Sequence, residues 1–339
     1  MWKGLAGIFP VSLFYYFCGM NRTELLPDRP GIPPMAKLPD PEVIDPAALA
    51  HAYANGETDL ICVLGPTASG KTRYAVQLAK SLTGMGSMAF PSANNKADAT
   101  GHATLPNAKK IADAPGSTSL PACENSIADA PGSTSLPAAE ILSADSRQVY
   151  VGMDIGTGKD LCEYGDVPYH LIDIVPAGTK FNIYQYQAAF ARAYADVRSR
   201  GAIPILCGGS GLYIEAVTRA YKFEKENGLP AEQLPQKVYY IGTLVSREER
   251  VARIDRRLEE RLQEGLVEEI RGLLETVPAD DLIYYGLEYK FVTQYVLGQL
   301  SYEDMQIALG NAIHQFAKRQ MTWFRGMERD GIKIHWVRP

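Results

Sequence analysis

Residues 65–72 read Gly65-Pro66-Thr67-Ala68-Ser69-Gly70-Lys71-Thr72 and fit the spacing G-x-x-x-x-G-K-[ST]. They follow an apolar run, Leu60-Ile61-Cys62-Val63-Leu64, and precede a helix-compatible stretch at 73–82. A loop in that setting holds a polyphosphate. Its glycines let successive backbone N–H groups turn onto phosphate oxygens, Lys71 reaches the outer phosphates, and Thr72 offers a hydroxyl to Mg2+ at a helix N-terminus whose dipole favours anions. All eight residues are expected to bind a diphosphate unit, with Thr72 as the metal contact.

A second group follows the next predicted strand: Ser143-Ala144-Asp145-Ser146-Arg147-Gln148-Val149-Tyr150, then Gly152-Met153-Asp154-Ile155-Gly156-Thr157-Gly158-Lys159. A carboxylate at the carboxyl end of a strand beside the P-loop points at whatever the phosphates hold. Asp145 in that place can be a Mg2+ ligand, a general base, or the cap of the following turn, and spacing alone leaves the three open.

The elements that position these groups alternate. Strands are expected at 60–64, 140–144, 170–175, 203–207 and 238–244, with helices at 73–82, 183–200 and 211–220, which means a parallel sheet covered by helices. In such sheets ligands bind at the carboxyl ends of the strands. The stretches 247–274, 282–300 and 302–327 carry apolar residues at helical spacing and predict a C-terminal helical layer. On the helix at 250–262, Val251, Ile254, Leu258 and Leu262 share one face. Arg250, Arg253, Arg257 and Arg261 share the next, with Arg257 assigned to a phosphate and Arg261 to a solvated stripe paired with glutamates. On the last helix, Ile313, Phe316, Gln320, Trp323 and Phe324 face the core, Trp323 as packing and not as a stacking platform. His314, Lys318, Arg325 and Arg329 align on the other side. From 313 to 339 the basic residues Lys318, Arg319, Arg325, Arg329, Lys333 and Arg338 outnumber the acidic ones, a phosphate footprint in an otherwise acidic chain.

With 339 residues and a net charge of −5, the chain can bury a full α/β core, and any nucleic-acid partner must be gripped by local basic patches. Cys18, Cys62, Cys123, Cys162 and Cys207 contain no C-x-x-C pair, which argues against zinc and for a reducing compartment. An apolar stretch at 5–18 has the look of a signal segment, but Pro10 interrupts it and no small-residue cleavage pattern follows. The expectation is a cytoplasmic protein without a membrane partner. Residues 84–137 are rich in Ala, Ser, Thr, Pro, Asn and Gly, and IADAPGSTSLPA occurs twice, at 111–122 and 127–138. Two copies do not build a solenoid, so this reads as a surface insertion.

Six ordered blocks resemble the tRNA dimethylallyltransferases, also called tRNA isopentenyltransferases: GPTASGKT, SADSRQVYVGMDIGTGK, VPYHLIDI, PILCGGSGLYIEAV, RIDRRLEERL and AKRQMTWFRG. The resemblance implies a P-loop NTPase-like α/β fold that moves a five-carbon prenyl group from dimethylallyl diphosphate to N6 of the adenosine on the 3′ side of a tRNA anticodon. It further implies Asp145 as the base, Arg257 as a leaving-group contact, Ser210 as a hydroxyl near the nucleobase, and Mg2+ as cofactor. The expected tRNA contacts are Ser146, Arg147 and Gln148 after the second strand, with Lys318, Arg319, Arg325 and Arg329 from the basic stretch. Leu258 replaces the family's aromatic, and Ser210 stands where threonine is commoner. Residues 219–237 are too short for the helical insertion that clamps the anticodon stem in the family, and Tyr284-Tyr285-Gly286-Leu287-Glu288-Tyr289-Lys290 is assigned only to packing near the active-site face. The expected layout is an N-terminal extension at 1–57, a P-loop core at 58–246 interrupted by the insertion at 84–138, and a helical part at 247–339 that packs on the core and contacts RNA. A monomer is expected. Prenylation of a free adenine nucleotide, phosphoryl transfer by a small-molecule kinase, and nucleotide-gated RNA binding without catalysis are the competing readings.

Overall fold

The computed structural model describes residues 39–85, 139–219 and 233–339. The apolar N-terminal stretch, the duplicated segment, Cys18, Cys123 and most of the short 219–237 connection lie outside the described residues.

The strand β1 (Leu60–Leu64) is buried at all five positions, as is β2 (Ala139–Ser143), and all six positions of β6 (Ile203–Gly208) are buried. Strands buried on both faces belong inside a parallel sheet covered on both sides. With β4 (Tyr169–His170), β7 (Val238–Thr243) and β8 (Ile334–Val337) they form one sheet in the order β4-β2-β6-β1-β7-β8, every neighbouring pair parallel. The register sets Leu64 beside Gly208 and Ser143 beside Cys207. The loops after β1, β2 and β6 therefore leave the sheet side by side.

Helix α1 (Pro46–Ala54) starts at Asp45, whose side chain accepts from Ala47 N, and carries proline in its first turn. It buries Leu49 and Ala50 against α2 (Lys71–Met85), so part of the expected N-terminal extension is an ordered piece of the core. Across the sheet lie α3 (Ile183–Ser199), opened by an Asn182/Gln185 capping box, and α4 (Gly211–Thr218).

Three expectations need correction. The strand expected at 170–175 is two short ones, β4 in the main sheet and β5 (Val175–Pro176), which pairs with β3 (Tyr150–Val151). Leu171 and Asp173 between them have positive φ, which breaks the extended path. The helical run at 247–274 is α5 (Arg247–Glu264) and α6 (Leu266–Leu273), parted at Gly265 with φ 106°; that at 282–300 is α7 (Ala279–Tyr285) and α8 (Leu287–Val296), parted at Gly286 with φ 77°. Apolar spacing continues through both breaks, and only the left-handed glycines mark the turns. Finally, the C-terminal layer does not stay helical. After α9 (Tyr302–Arg329), about 42 Å long at 1.5 Å per residue, the chain returns as β8 to the edge of the core sheet.

Candidate active site

The P-loop joins β1 to α2 with Ala68 and Gly70 at positive φ, the alternation that turns backbone N–H groups inward. Two contacts fix its shape from below and behind. Ser69 Oγ bonds Thr243 Oγ1 at 2.7 Å under Gly65, where an added Cβ would lie 2.2 Å from that same oxygen. Gln320 of α9 accepts from Thr67 N at 2.8 Å and donates to the Gly209 carbonyl at 3.0 Å, tying the P-loop to the loop after β6.

The turn after β2 is an Asx turn: Arg147 N donates to Asp145 Oδ1 at 2.9 Å. Ser146 N donates to Ser210 Oγ at 3.1 Å, so the hydroxyl of Ser210 binds the Asp145 turn and does not cap α4, which it precedes. Gln148 is buried, with its amide between Ser143 Oγ and the Gly158 carbonyl, and Arg147 Nε donates to the Tyr285 carbonyl. The 152–159 segment is held from three sides. Glu269 accepts from Asp154 N, Ile155 N and Gly156 N; Tyr289 donates to the same carboxylate; and buried Lys159 donates to the Tyr150 carbonyl, Asp154 and Asp173. Lys159 is therefore a structural lysine.

These loops surround a cleft of about 720 Å3 over the carboxyl ends of β1, β2 and β6. Thr67, Lys71, Thr72, Asp145, Ser210, Arg257 and Arg261 line it, and Phe181, Tyr213, Tyr284, Phe316 and Trp323 supply aromatic walls. One end is cationic. Burial holds Lys71 below the ordinary lysine value; Asp145 opposes that shift, while Arg257 and Arg261 reinforce it. Burial and then Arg257 push Arg261 the same way. Three cations at one end of a cleft repel each other, and an anionic ligand with several oxygens relieves that repulsion. Cys207 in the wall has its thiol pushed up to about 12 by burial and is inert at neutral pH. The oxygen donors Thr72 and Asp145 suit a hard ion, and no group of three or more His, Cys, Asp or Glu among the described residues forms a self-sufficient cage. That fits Mg2+, which takes its other ligands from phosphate and water.

The family model for IPP transferase matches residues 148–236 and 220–327. A tRNA dimethylallyltransferase of Parabacteroides distasonis is 39% identical over 337 residues, covering 82% of this chain and 92% of that protein. The chain belongs to the IPP transferase family. One from Porphyromonas gingivalis is 45% identical over 255 residues, 58% of this chain and 84% of the relative. The fold also matches a full-length tRNA isopentenylpyrophosphate transferase from Bacillus halodurans, with TM-score 0.58, 23% identity, and coverage of 83% and 89% of the two chains.

In this IPP transferase the Asp145, Ser210 and Arg257 expected from sequence do line one cleft, together with Thr67, Lys71 and Thr72 of the P-loop. Arg257 pairs with Asp160 and keeps 35% of its side-chain surface exposed. Arg261 was expected in the solvated stripe, but it is the more buried of the two, 11% exposed in the cleft wall. Glycines explain how: a Cβ at Gly158 would lie 1.6 Å from Arg261 Nη2 and 2.5 Å from Arg257 Nη2. Trp323 packs against the core as expected and in addition lines the cleft, its indole lying against Gly211. Of the basic residues of α9, Arg319 lines the cleft, Arg325 is half-buried near Arg250, and Lys318 and Arg329 are exposed. His314 pairs with Asp255 outside the cleft. Sequence reasoning missed the roles of Gln320 and Glu269. For Gln320 a signal existed, since a glutamine on an otherwise apolar helix face needs buried polar partners.

Proposed function

We propose that the protein transfers the dimethylallyl group of dimethylallyl diphosphate to the exocyclic N6 of the adenosine 3′ to a tRNA anticodon. The observation that carries the reading is the joint lining of one cleft by the cations Lys71, Arg257 and Arg261, by Asp145 with its Oδ1 held by Arg147 N, and by aromatic side chains. The C–O bond to the allylic carbon breaks with its electron pair leaving on diphosphate, and charge-assisted donors at Lys71 and Arg257 stabilise that charge. N6 is a weak nucleophile because its lone pair is delocalised into the purine, and Asp145 accepts the proton that N6 loses as the new C–N bond forms. Aromatic faces of Phe316, Trp323 and Tyr213 suit both the allyl group and a base displaced from its stack.

Mg2+ held at Thr72 supplies further neutralisation of the phosphate oxygens. Arg319 at the cleft, with Lys318, Arg325 and Arg329 along α9 and the Ser146-Arg147-Gln148 turn, contacts the anticodon stem-loop; Gln148 acts there through its internal amide bonds. The protein works in the cytoplasm as a monomer. Among the described residues no helix is long and apolar enough to cross a membrane. Incubation with Mg2+, dimethylallyl diphosphate and unmodified tRNA, followed by mass spectrometry of the nucleosides, tests the reading. N6-prenyladenosine is expected, and phosphorylated product from ATP with no prenylated nucleoside overturns it.

A further inference from the structure

Helix α5 presents two arginines to the diphosphate end of the cleft, one turn apart, and their surroundings differ. Arg257 is already engaged by Asp160. Arg261, deeper in the wall, makes one hydrogen bond among the described residues, from Nη1 to the Gly156 carbonyl at 3.3 Å. Its nearest carboxylates, Asp160 and Glu288, stand at 4.0 Å, outside hydrogen-bond range. A guanidinium carries five N–H donors in a rigid fork, so most of this fork is unspent in a buried place. The cavity around it is built: Gly156 and Gly158 leave room where a side chain would collide, Tyr289 packs beneath Gly156, and Glu269 fixes that loop through three backbone N–H groups. Gly286 and Leu287, both at positive φ, turn the chain so that Glu288 enters the cleft wall opposite Arg261.

Resting on the transferase reading above, we infer that Arg261 is a catalytic residue that contacts the departing diphosphate beside Lys71, and that Glu288 is its positioning residue. As the bond from the allylic carbon to the bridging oxygen breaks, both electrons go to that oxygen. Arg261 then donates two N–H groups to diphosphate oxygens, while N6 bonds the allylic carbon and its proton passes to Asp145. Glu288 stays too far away to compete for the fork, yet its charge draws the guanidinium to one side of the cleft. Arg257, paired with Asp160 and the more exposed of the two, adds its own donors beside Arg261.

The test compares Arg261→Met, Arg261→Lys and Glu288→Gln with the unaltered protein in three readouts: kcat and KM for dimethylallyl diphosphate, calorimetric binding of inorganic diphosphate without RNA, and thermal melting. Removing one donor to a developing oxyanion costs on the order of 10²-fold in kcat. Arg261→Met is expected to show that loss and weaker inorganic diphosphate binding, Arg261→Lys a partial recovery, and Glu288→Gln a smaller kcat loss with an unchanged melting temperature. Unchanged kcat and diphosphate binding in Arg261→Met, with only a lowered melting temperature, would make Arg261 structural and overturn the inference. If the unaltered protein prenylates no tRNA, the transferase reading fails by itself. The calorimetric arm still decides the diphosphate contact.

Discussion

Asp145 carries two tasks on two oxygens. Oδ1 accepts from Arg147 N and shapes the turn, which leaves Oδ2 for the substrate. An asparagine keeps the first task and loses the second. Asp145→Asn is therefore expected to fold and bind inorganic diphosphate normally while kcat falls about 10²-fold or more, the range for a lost general base. Calorimetry beside steady-state kinetics checks this, and collapsed diphosphate binding with near-normal turnover would recast Asp145 as a metal or structural ligand. Lys71 illustrates the cost of a ready-made anion site. Its folded pKa lies below the ordinary 10.5, so the unfolded chain binds more protons between the lowered value and 10.5, and stability rises with pH across that window. Below the window the buried charge destabilises the free protein. Lys71→Met is accordingly expected to raise the melting temperature at neutral pH, flatten its alkaline pH dependence and abolish diphosphate binding. A lowered melting temperature would show that the ammonium stabilises the empty loop.

At the scale of elements, the site depends on a helix distant in sequence. Gln320 of α9 satisfies Thr67 N and the Gly209 carbonyl at once, so Gln320→Leu strands both. Leaving a buried backbone group unsatisfied costs about 1 to 3 kcal/mol. The variant is expected to unfold at lower denaturant and to show a raised KM for dimethylallyl diphosphate; an unchanged KM would mean that the P-loop keeps its shape unaided. Gly158→Ala should be worse for turnover than for stability, because φ of 60° and the nearby Arg257 and Arg261 both oppose a methyl group there. The elements were legible wherever one physical signal dominated. The fully buried, mostly apolar β1, β2 and β6 and the glycine-rich loop after β1 could be read directly, and with them the end of the sheet where Asp145, Ser210 and Lys71 meet. What escaped had competing signals. Arg261 sits among glutamates on a charged helix, so its pattern is that of a solvated stripe, and its burial comes from Gly156 and Gly158 a hundred residues earlier in the chain. Strand β8 is four residues long, a length at which alternation carries little information.

For the molecule as a whole, the parallel sheet, the helices around it and the returning C-terminal strand make one frame for one cleft. The described ends of the connection between α2 and β2 lie side by side. Ala139 N donates to Thr83 Oγ1 at 3.1 Å, so the two ends already touch. Replacing residues 86–138 with a short Gly/Ser linker is expected to leave melting temperature and activity close to those of the intact chain, since loop closure changes by only about 0.6 kcal/mol per doubling of length. An inactive product would show that the segment takes part in binding. RNA recognition belongs to the same scale: substituting Lys318, Arg325 and Arg329 together by alanine should weaken tRNA binding and reduce its salt dependence by up to about three phosphate contacts at 0.9 each, with dimethylallyl diphosphate binding untouched. The most direct test of the central claim is the choice of acceptor. With Mg2+ and dimethylallyl diphosphate, three acceptors should be offered separately: tRNA with adenosine 3′ to the anticodon, the same tRNA with guanosine there, and free AMP. The account predicts prenylation of the first alone. Prenylated AMP with the adenosine-bearing tRNA left unmodified would contradict it.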